Sequence, residues 1–331
     1  MKTIGVVIGT TDEPVTEEYY SKHSNTLSHL EEYDIYSDYI PYDYAIYSEI
    51  KRVGEKNGFQ VIPLFGDEFT LIDANKCDYI FSVFEGVYSF MVGGLKRYTQ
   101  YMNILKKTKA KVYPSQKMQE FIIKKHQYMK YLDTKGYNIT PTFFINLKKY
   151  NVKSIMKFIE KNNLNQIIIK PELGAFKTGF KKINNPTEKK IRDYLVKLKN
   201  DGYTNVLLQS FIEEFNKFGE IKTYWSGGKN LYAYRQQWLD GEGVFSQVED
   251  KQLIRECKSI GKKLLDDISK DHEKLIQCRI DFACCMNNDK RCREFFINEI
   301  EICPTIGTEY YEAYGKAYTL LANNFIKEIL S

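Results

Sequence analysis

Near the C-terminal end two runs rich in bulky apolar residues, Cys278-Arg-Ile-Asp-Phe282 and Glu294-Phe-Phe-Ile-Asn-Glu-Ile-Glu-Ile-Cys-Pro304, flank the polar segment Asn287-Asn-Asp289-Lys290. Two such runs about an Asn-Asn-Asp turn predict a β-hairpin. Side chains alternate between the two faces of a strand, so Arg279 shares a face with Asp281, and Glu299 shares one with Glu301. Should the two faces coincide, three carboxylates and a guanidinium meet on one small surface. Carboxylates that close repel by several kcal/mol unless a cation lies among them. An all-oxygen set of this kind suits Mg²⁺, which is commonly held by one or two carboxylates and the phosphates of a nucleotide. The plainer alternative is a solvent-facing hairpin with scattered charges.

The chain is long enough, at 331 residues, for two or three domains with cores of their own. A net charge of +5 with lysines spread along the sequence shows no nucleic-acid stripe, and no apolar run approaches the ~20 residues that span a bilayer. Residues 1–9 read as a buried first strand rather than a signal peptide, and a cytoplasmic protein is expected. The seven cysteines include no Cys-x-x-Cys pair, and only His272 lies near their main cluster, which argues against zinc and for reduced thiols packed as small apolar residues. The tyrosines between Tyr33 and Tyr47 read as a loop or interface lining.

Taken in order, strands are expected at 2–8, 59–65, 79–84 and 111–113, with helices at 43–57, closed by Gly58, and 93–107. That alternation predicts an open α/β domain with a parallel sheet over 1–113. Ser115 is a candidate N-cap for a helical region through Lys125, His126 and Leu132 to Gly136. Strands at 141–145, 166–170 and 205–211 and helices at 151–161 and 186–199 build a second unit, 114–208. Within it Gly174, Lys177 and Gly179 form a short cationic glycine loop, whose backbone N–H groups can surround phosphate oxygens. The third unit, 209–331, begins at a hinge after Phe211. It continues with a hairpin of 218–226 and 230–238 about Gly227-Gly228, a helix at 249–268, the carboxylate hairpin and a helix at 309–329.

This succession resembles the ATP-grasp enzymes of carboxylate–amine ligase type, such as D-alanine–D-alanine ligase, prokaryotic glutathione synthetase and the ribosomal-protein glutamate ligases. The resemblance rests on Pro114-Ser115 with Lys125, Gly136 and Pro141-Thr142; on Ile169-Lys170-Pro171 with Gly174–Gly179; on Gln209-Ser210-Phe211-Ile212; on Gly219-Glu220-Ile-Lys222; on Arg235; on Arg279-Ile-Asp281; and on Asn298-Glu299-Ile-Glu301 with Pro304. It implies an α/β, ATP-grasp fold, with an N-terminal open parallel sheet and two α+β subdomains clasping a nucleotide. It also implies ATP and Mg²⁺ as cofactors, two ions being the usual number, with Mn²⁺ able to substitute.

Position by position, Lys125 and Lys170 would reach the phosphates, with Gly174, Lys177 and Gly179 as the flap above them. Gln209, Ser210, Phe211 and Ile212 would hold adenine, and Glu220 the ribose hydroxyls. Asp281, Glu299 and Glu301 would ligate metal, Glu301 standing where many relatives have Asn. Arg279 would lie beside the reacting carboxyl and Arg235 near the transferred phosphate, the two stabilising the transferred phosphoryl group or the tetrahedral oxyanion, with Lys170 as a third catalytic residue. Lys222 receives no role. The implied reaction joins a small-molecule or peptide carboxylate to an amine through an acyl-phosphate, releasing ADP and phosphate. The partners are those substrates, with no nucleic acid and no membrane, and a homodimer is the candidate assembly. Departures at Gly9-Thr-Thr-Asp-Glu13 and at Thr305-Ile-Gly307 keep the relatives' own substrates from being carried over. Two alternatives stand beside the ligase. One is an ATP-grasp kinase acting on a hydroxyl of a small anionic substrate of inositol phosphate type, and the other is a nucleotide-binding module without turnover.

Overall fold

The structure, a computed structural model, describes residues 1–9, 14–33, 40–66, 68–83, 86–174, 178–213, 215, 218–239, 242–286, 293–302 and 317–331. Four short apolar strands open it: β1 (Thr3–Ile8), β2 (Gln60–Phe65), β3 (Tyr79–Ser82) and β4 (Lys111–Tyr113). They are all parallel, in the order β2-β1-β3-β4. Five consecutive buried residues in β1 identify a strand covered on both faces, as parallel sheets require. The connections carry α1 (Glu17–Leu27), α2 (Tyr42–Lys56), α3 (Leu71–Ala74) and α4 (Gly86–Lys107). The sequence starts the last of these at Gly93; the helix begins about two turns earlier, at Gly86, and breaks at Gly93-Gly94, where Gly94 takes φ +64°.

Of the two expectations for the tyrosine-rich stretch, a loop or an interface lining, the described part fits the second. Tyr42, Tyr44 and Tyr47 lie in α2, buried against the last helix, α10 (Ala317–Leu330), and against Tyr224, Tyr232 and Tyr234 of the C-terminal sheet. α2 is buried from Tyr42 to Ile50 and again at Val53 and Gly54, and its charged last turn is exposed. Residues 34–39 of that stretch lie outside the described residues.

The middle of the chain forms α5 (Gln116–Ile123), α6 (Lys125–Thr134), β5 (Thr142–Asn146), α7 (Val152–Lys161), β6 (Gln166–Pro171), β7 (Lys181–Asn184), α8 (Glu188–Asn200) and β8 (Asn205–Ser210). Ser115 caps α5 by accepting from the Met118 N–H, as its type suggests. The helical region is nevertheless two helices, interrupted at Lys124. The strands pair antiparallel in the order β5-β8-β6-β7. Along β6, Ile167 and Ile169 pack on α7 and α8, so alternation turns Lys170 to the opposite face.

The C-terminal sheet has the order β11-β10-β9-β12-β13, built from β9 (Glu220–Ser226), β10 (Lys229–Leu239), β11 (Glu242–Gln247), β12 (Gln277–Met286) and β13 (Arg293–Glu301). Gly227 and Gly228 both take positive φ, the tight hairpin turn the Gly-Gly pair predicts. β11 is an edge strand that the sequence reading leaves unassigned. One face of the sheet carries Ile221, Trp225, Ile280, Phe282 and Ile300 against Leu253, Cys257, Leu264 and Ile268 of α9 (Lys251–Asp271). Cys77, Cys257 and Cys278 are buried free thiols; burial pushes Cys77 up to about 11 and raises Cys278 further, in keeping with thiols used for packing. No helix among the described residues is long and apolar enough to cross a membrane.

α10 closes the chain between the first sheet and the third. Its Phe325 is fully buried, with ring centroids 4.7 Å from Phe81 and 5.7 Å from Tyr113. Phe325→Ala should lower unfolding free energy by about 3–5 kcal/mol, read as a lower denaturant midpoint with little change in slope.

Candidate active site

The hairpin register decides whether the acidic faces coincide. Arg279 pairs with Glu301 and Asp281 with Glu299 across β12 and β13, so all four side chains share one face. Asp281, Glu299 and Glu301 offer oxygens within 4.8 Å of one another. A bulge after Asp281 leaves Asn298 opposite no partner. Its Nδ2 turns instead to Glu220 Oε1, 2.6 Å away on β9. The turn residues 287–290 and Pro304 lie outside the described residues.

Like charges 4–5 Å apart repel by about 4 kcal/mol per pair at the effective dielectric of a protein margin. Cations from three elements offset that cost. Arg279 donates through Nε to Asp281 Oδ1 at 2.7 Å and through one terminal nitrogen to Asp281 Oδ2 at 2.9 Å, and it lies 2.8 Å from Glu301 Oε2. Lys222, opposite Asp281 in β9, donates to Asp281 Oδ2 and lies 3.2 Å from Glu220. Lys125, at the start of α6, donates to Glu299. Burial alone would raise the Asp281 carboxyl, but Arg279 and Lys222 hold it well below its usual range. Burial and Arg279 pull the Lys222 ammonium down, and Asp281, Glu220 and Glu301 outweigh them and carry it up. Tyr128, buried in α6, is raised first by burial and then by Glu301, which keeps its hydroxyl protonated beside the cluster.

Lys170 comes from the second sheet. Burial and the nearby Lys125 push its pKa down to about 8, with Glu220 pulling the other way. Lys170 therefore lies near Lys125 and Glu220, and Lys125 itself donates to Glu299. The loop after Lys170 begins at Glu172, whose carboxylate receives the Asn205 backbone N–H and Asn205 Nδ2 at 3.0 Å each, together with the Thr204 hydroxyl, and sits 2.9 Å from His126 Nδ1. Its main-chain oxygen accepts the Lys125 N–H at 3.0 Å. One acidic residue thus ties the α6 start, β8 and the flap base together. Gly174 and Gly179 take φ +144° and +69°; a Cβ on Gly179 would lie 2.7 Å from Pro171 Cγ, and its carbonyl accepts from Tyr194 at 2.7 Å. Lys177 lies outside the described residues.

Two further positions differ from expectation. Arg235 pairs with Ile221 in β9, so it occupies the α9 side of the sheet, away from Lys222, Arg279 and Asp281. Its assignment to the transferred phosphoryl group is corrected by that register: the basic residue facing the carboxylates from this hairpin is Lys222. At the hinge, Gln209 is buried with Nε2 donating to Thr142 Oγ1 at 3.0 Å, and the Lys182 ammonium lies 3.4 Å over the Phe211 ring. Ser210 and Ile212 are half-buried beside them, and Ser210 is bonded through its N–H to Pro141 O at 3.1 Å. Sequence reasoning missed Lys222, Asn298 and the Glu172–His126 pair; the alternation Glu220, Lys222, Tyr224 was visible, but the strand that Lys222 opposes was not.

All-oxygen donors in this spacing fit a hard divalent ion, and the two lysines fit anionic oxygen atoms beside it. No family model matches the sequence, and no curated protein matches it in sequence. Solved structures match throughout. D-cycloserine synthetase DcsG shares 11% identity at TM-score 0.68, over 98% of this chain and 99% of that one. D-alanine–D-alanine ligase from Bacillus anthracis, complexed with ATP, shares 14% at 0.60, over 100% and 98%. The ATP-grasp ligase PsnB, complexed with a minimal precursor, shares 12% at 0.55, over 99% of each chain. The chain therefore has the ATP-grasp fold.

Glu172 supplies a pH test. Burial would raise its carboxyl, but His126, Thr204 and Asn205 hold it at about 2, against an ordinary 4.5. A depressed carboxyl stabilises the fold above the unfolded pKa, and that stabilisation is lost as pH falls through the folded one. Glu172→Gln should remove roughly 3 kcal/mol of the stability lost by the parent between pH 4.5 and 2, measured by denaturant melts across that range.

Proposed function

We propose that this protein is an ATP-dependent carboxylate–amine ligase. The observation that carries the reading is the meeting of Asp281, Glu299 and Glu301 with Arg279 from their own hairpin and Lys125 from the start of α6, with Lys170 of the second sheet near Lys125 and Glu220. Such a ligase serves a substrate carboxylate, a poor electrophile because amine attack would have to expel oxide. The carboxylate oxygen attacks the γ-phosphorus of ATP, ADP leaves, and the acyl-phosphate so formed has a good leaving group. An amine then attacks the acyl carbon, and phosphate departs.

Positioning and charge do the protein's part of this work. Lys125 and Lys170 bind phosphate oxygens as point charges. The glycine loop bounded by Gly174 and Gly179 would be the element that keeps out water able to hydrolyse the acyl-phosphate. Gln209, Ser210, Phe211 and Ile212 form the adenine edge and Glu220 takes the ribose, with Asn298 orienting its carboxylate. Asp281, Glu299 and Glu301 would hold Mg²⁺, which when bound offsets charge on the transferred group. Arg279 acts in the first place by fixing Asp281 and Glu301 through its forked donors. Small-molecule or peptide carboxylates and amines are its substrates.

Asp281 is fully buried between two cations, so Asp281→Asn disturbs the fold as well as the chemistry, at a cost of about 3–5 kcal/mol. Glu299, a quarter exposed on the last strand of the sheet, is the cleaner probe. With Mg²⁺, ATP and pools of amino acids and peptides, the protein should release ADP and inorganic phosphate together with an amide identified by mass spectrometry. Glu299→Gln should reduce that turnover at least about a hundredfold with a melting curve close to the parent's. Phosphorylated product without free phosphate would instead mark a kinase, and no ADP in any pool would end the reading.

Lys170 adds a pH dependence. Its ammonium is the form that binds phosphate, so nucleotide affinity should fall as pH rises through about 8. Stability should move the other way between about 8 and 10.5, because a lowered lysine pKa means the buried charge costs stability until it is lost. Lys170→Arg should flatten the affinity profile in a fluorescent-nucleotide titration.

A further inference from the structure

We propose that Lys222 is a built-in cation of the carboxylate cluster, taking the place of a second metal ion, so that the site binds one divalent ion per chain rather than two. The inference rests on the metal reading above and goes beyond it in the number of ions and in what sets that number.

Lys222 stands on β9 with Tyr234 of β10 on one side and Asp281 of β12 on the other. It is 5% exposed, and its ammonium is held between Asp281 Oδ2 and Glu220 Oε2. Asp281, with no exposure at all, is already committed on both oxygens: Oδ1 accepts from Arg279 Nε, and Oδ2 accepts from Arg279 and from Lys222. A carboxylate has roughly four lone-pair directions, and three cationic donors occupy three of them here. Two metal ions in a shared site lie about 3.5–4 Å apart and need bridging carboxylates with oxygens to spare. On the Glu220–Asp281 side the ammonium already fills that need, as a compact positive charge.

The other side differs. Glu299 and Glu301 sit on the edge strand β13 with side chains 25% and 26% exposed. Their oxygens lie within 4.8 Å of one another and of Asp281. Glu299 is paired there with Lys125 and Glu301 with Arg279, one cation each against the two that close on Asp281, which leaves donors for one ion at the open margin. The fourth carboxylate and the extra ammonium compensate each other, because Glu301 adds one negative charge to the surface that Lys222 supplies with one positive charge.

The experiment is a titration of Mn²⁺ at saturating, slowly hydrolysed ATP analogue, with bound ion counted by electron paramagnetic resonance. The wild-type chain should bind one Mn²⁺, Lys222→Arg one, and Lys222→Gln two. The Lys222→Gln variant should also gain more thermal stability from Mn²⁺ than the parent, since the ion replaces the lost charge. Two ions on the wild-type chain, or one on a folded Lys222→Gln variant, would overturn the proposal while leaving the metal reading in place. If Lys222→Gln does not fold, the wild-type and Lys222→Arg counts decide, two ions on either being fatal. No bound Mn²⁺ on any chain would overturn the metal reading itself, and this inference with it.

Discussion

A single buried carboxylate organises the C-terminal half of this protein. Asp281 has no exposure, and it remains charged only because Arg279 from its own strand and Lys222 from the neighbouring one close on it. Removing a charge from water costs several kcal/mol unless such partners are in place. The triad therefore constrains the pairing of β9 with β12, since a slip of one residue would turn Lys222 to the apolar face against α9 and leave Asp281 without it. Glu299 and Glu301 then add to an already fixed centre, and the hairpin bulge at Asn298 lets the outer strand reach Glu220 as well.

The middle of the chain contributes two lysines, one from its sheet and one from the start of α6. Lys170 is pointed by strand alternation, Lys125 by the helix start that Glu172 ties down. Glu172 is the mechanical counterpart of Asp281: a buried acid that gathers partners from α6 and from Thr204 and Asn205 at the start of β8. A hydrogen-bonded network of this kind holds its members rigidly. The proposed nucleotide site is thus two acid-centred knots facing each other, one carrying carboxylates and the other ammonium groups.

Among the described residues, the N-terminal sheet bears on that arrangement through packing. α2 and α10 pack together, and their tyrosines and Phe325 meet Tyr224, Tyr232 and Tyr234 on the same face of the C-terminal sheet that carries Arg279 and Asp281. Those rings wall one end of the charged surface with apolar material, which lowers the local dielectric and strengthens every ion pair beside it.

Much of this was legible locally. The hairpin, its acidic alternation, the Gly-Gly turn, the Ser115 cap and the parallel N-terminal strands follow from residue order, because turn chemistry and strand period act over a few neighbours. Lys170 was legible for the same reason, at the end of an apolar run followed by Pro171 and glycines. What residue order could not reveal is which strand lies beside which. Lys222 and Arg235 are both basic residues of one hairpin, and nothing local separates them. The sheet order β10-β9-β12 and its register put Lys222 against Asp281 and Arg235 on the other face. The tyrosines of α2 look like surface lining until α10, distant in sequence, covers them. Sequence alone determined the chemistry present on each strand, since that depends on alternation within a segment; the tertiary structure decided which charges meet, since that depends on pairings between segments far apart in the chain.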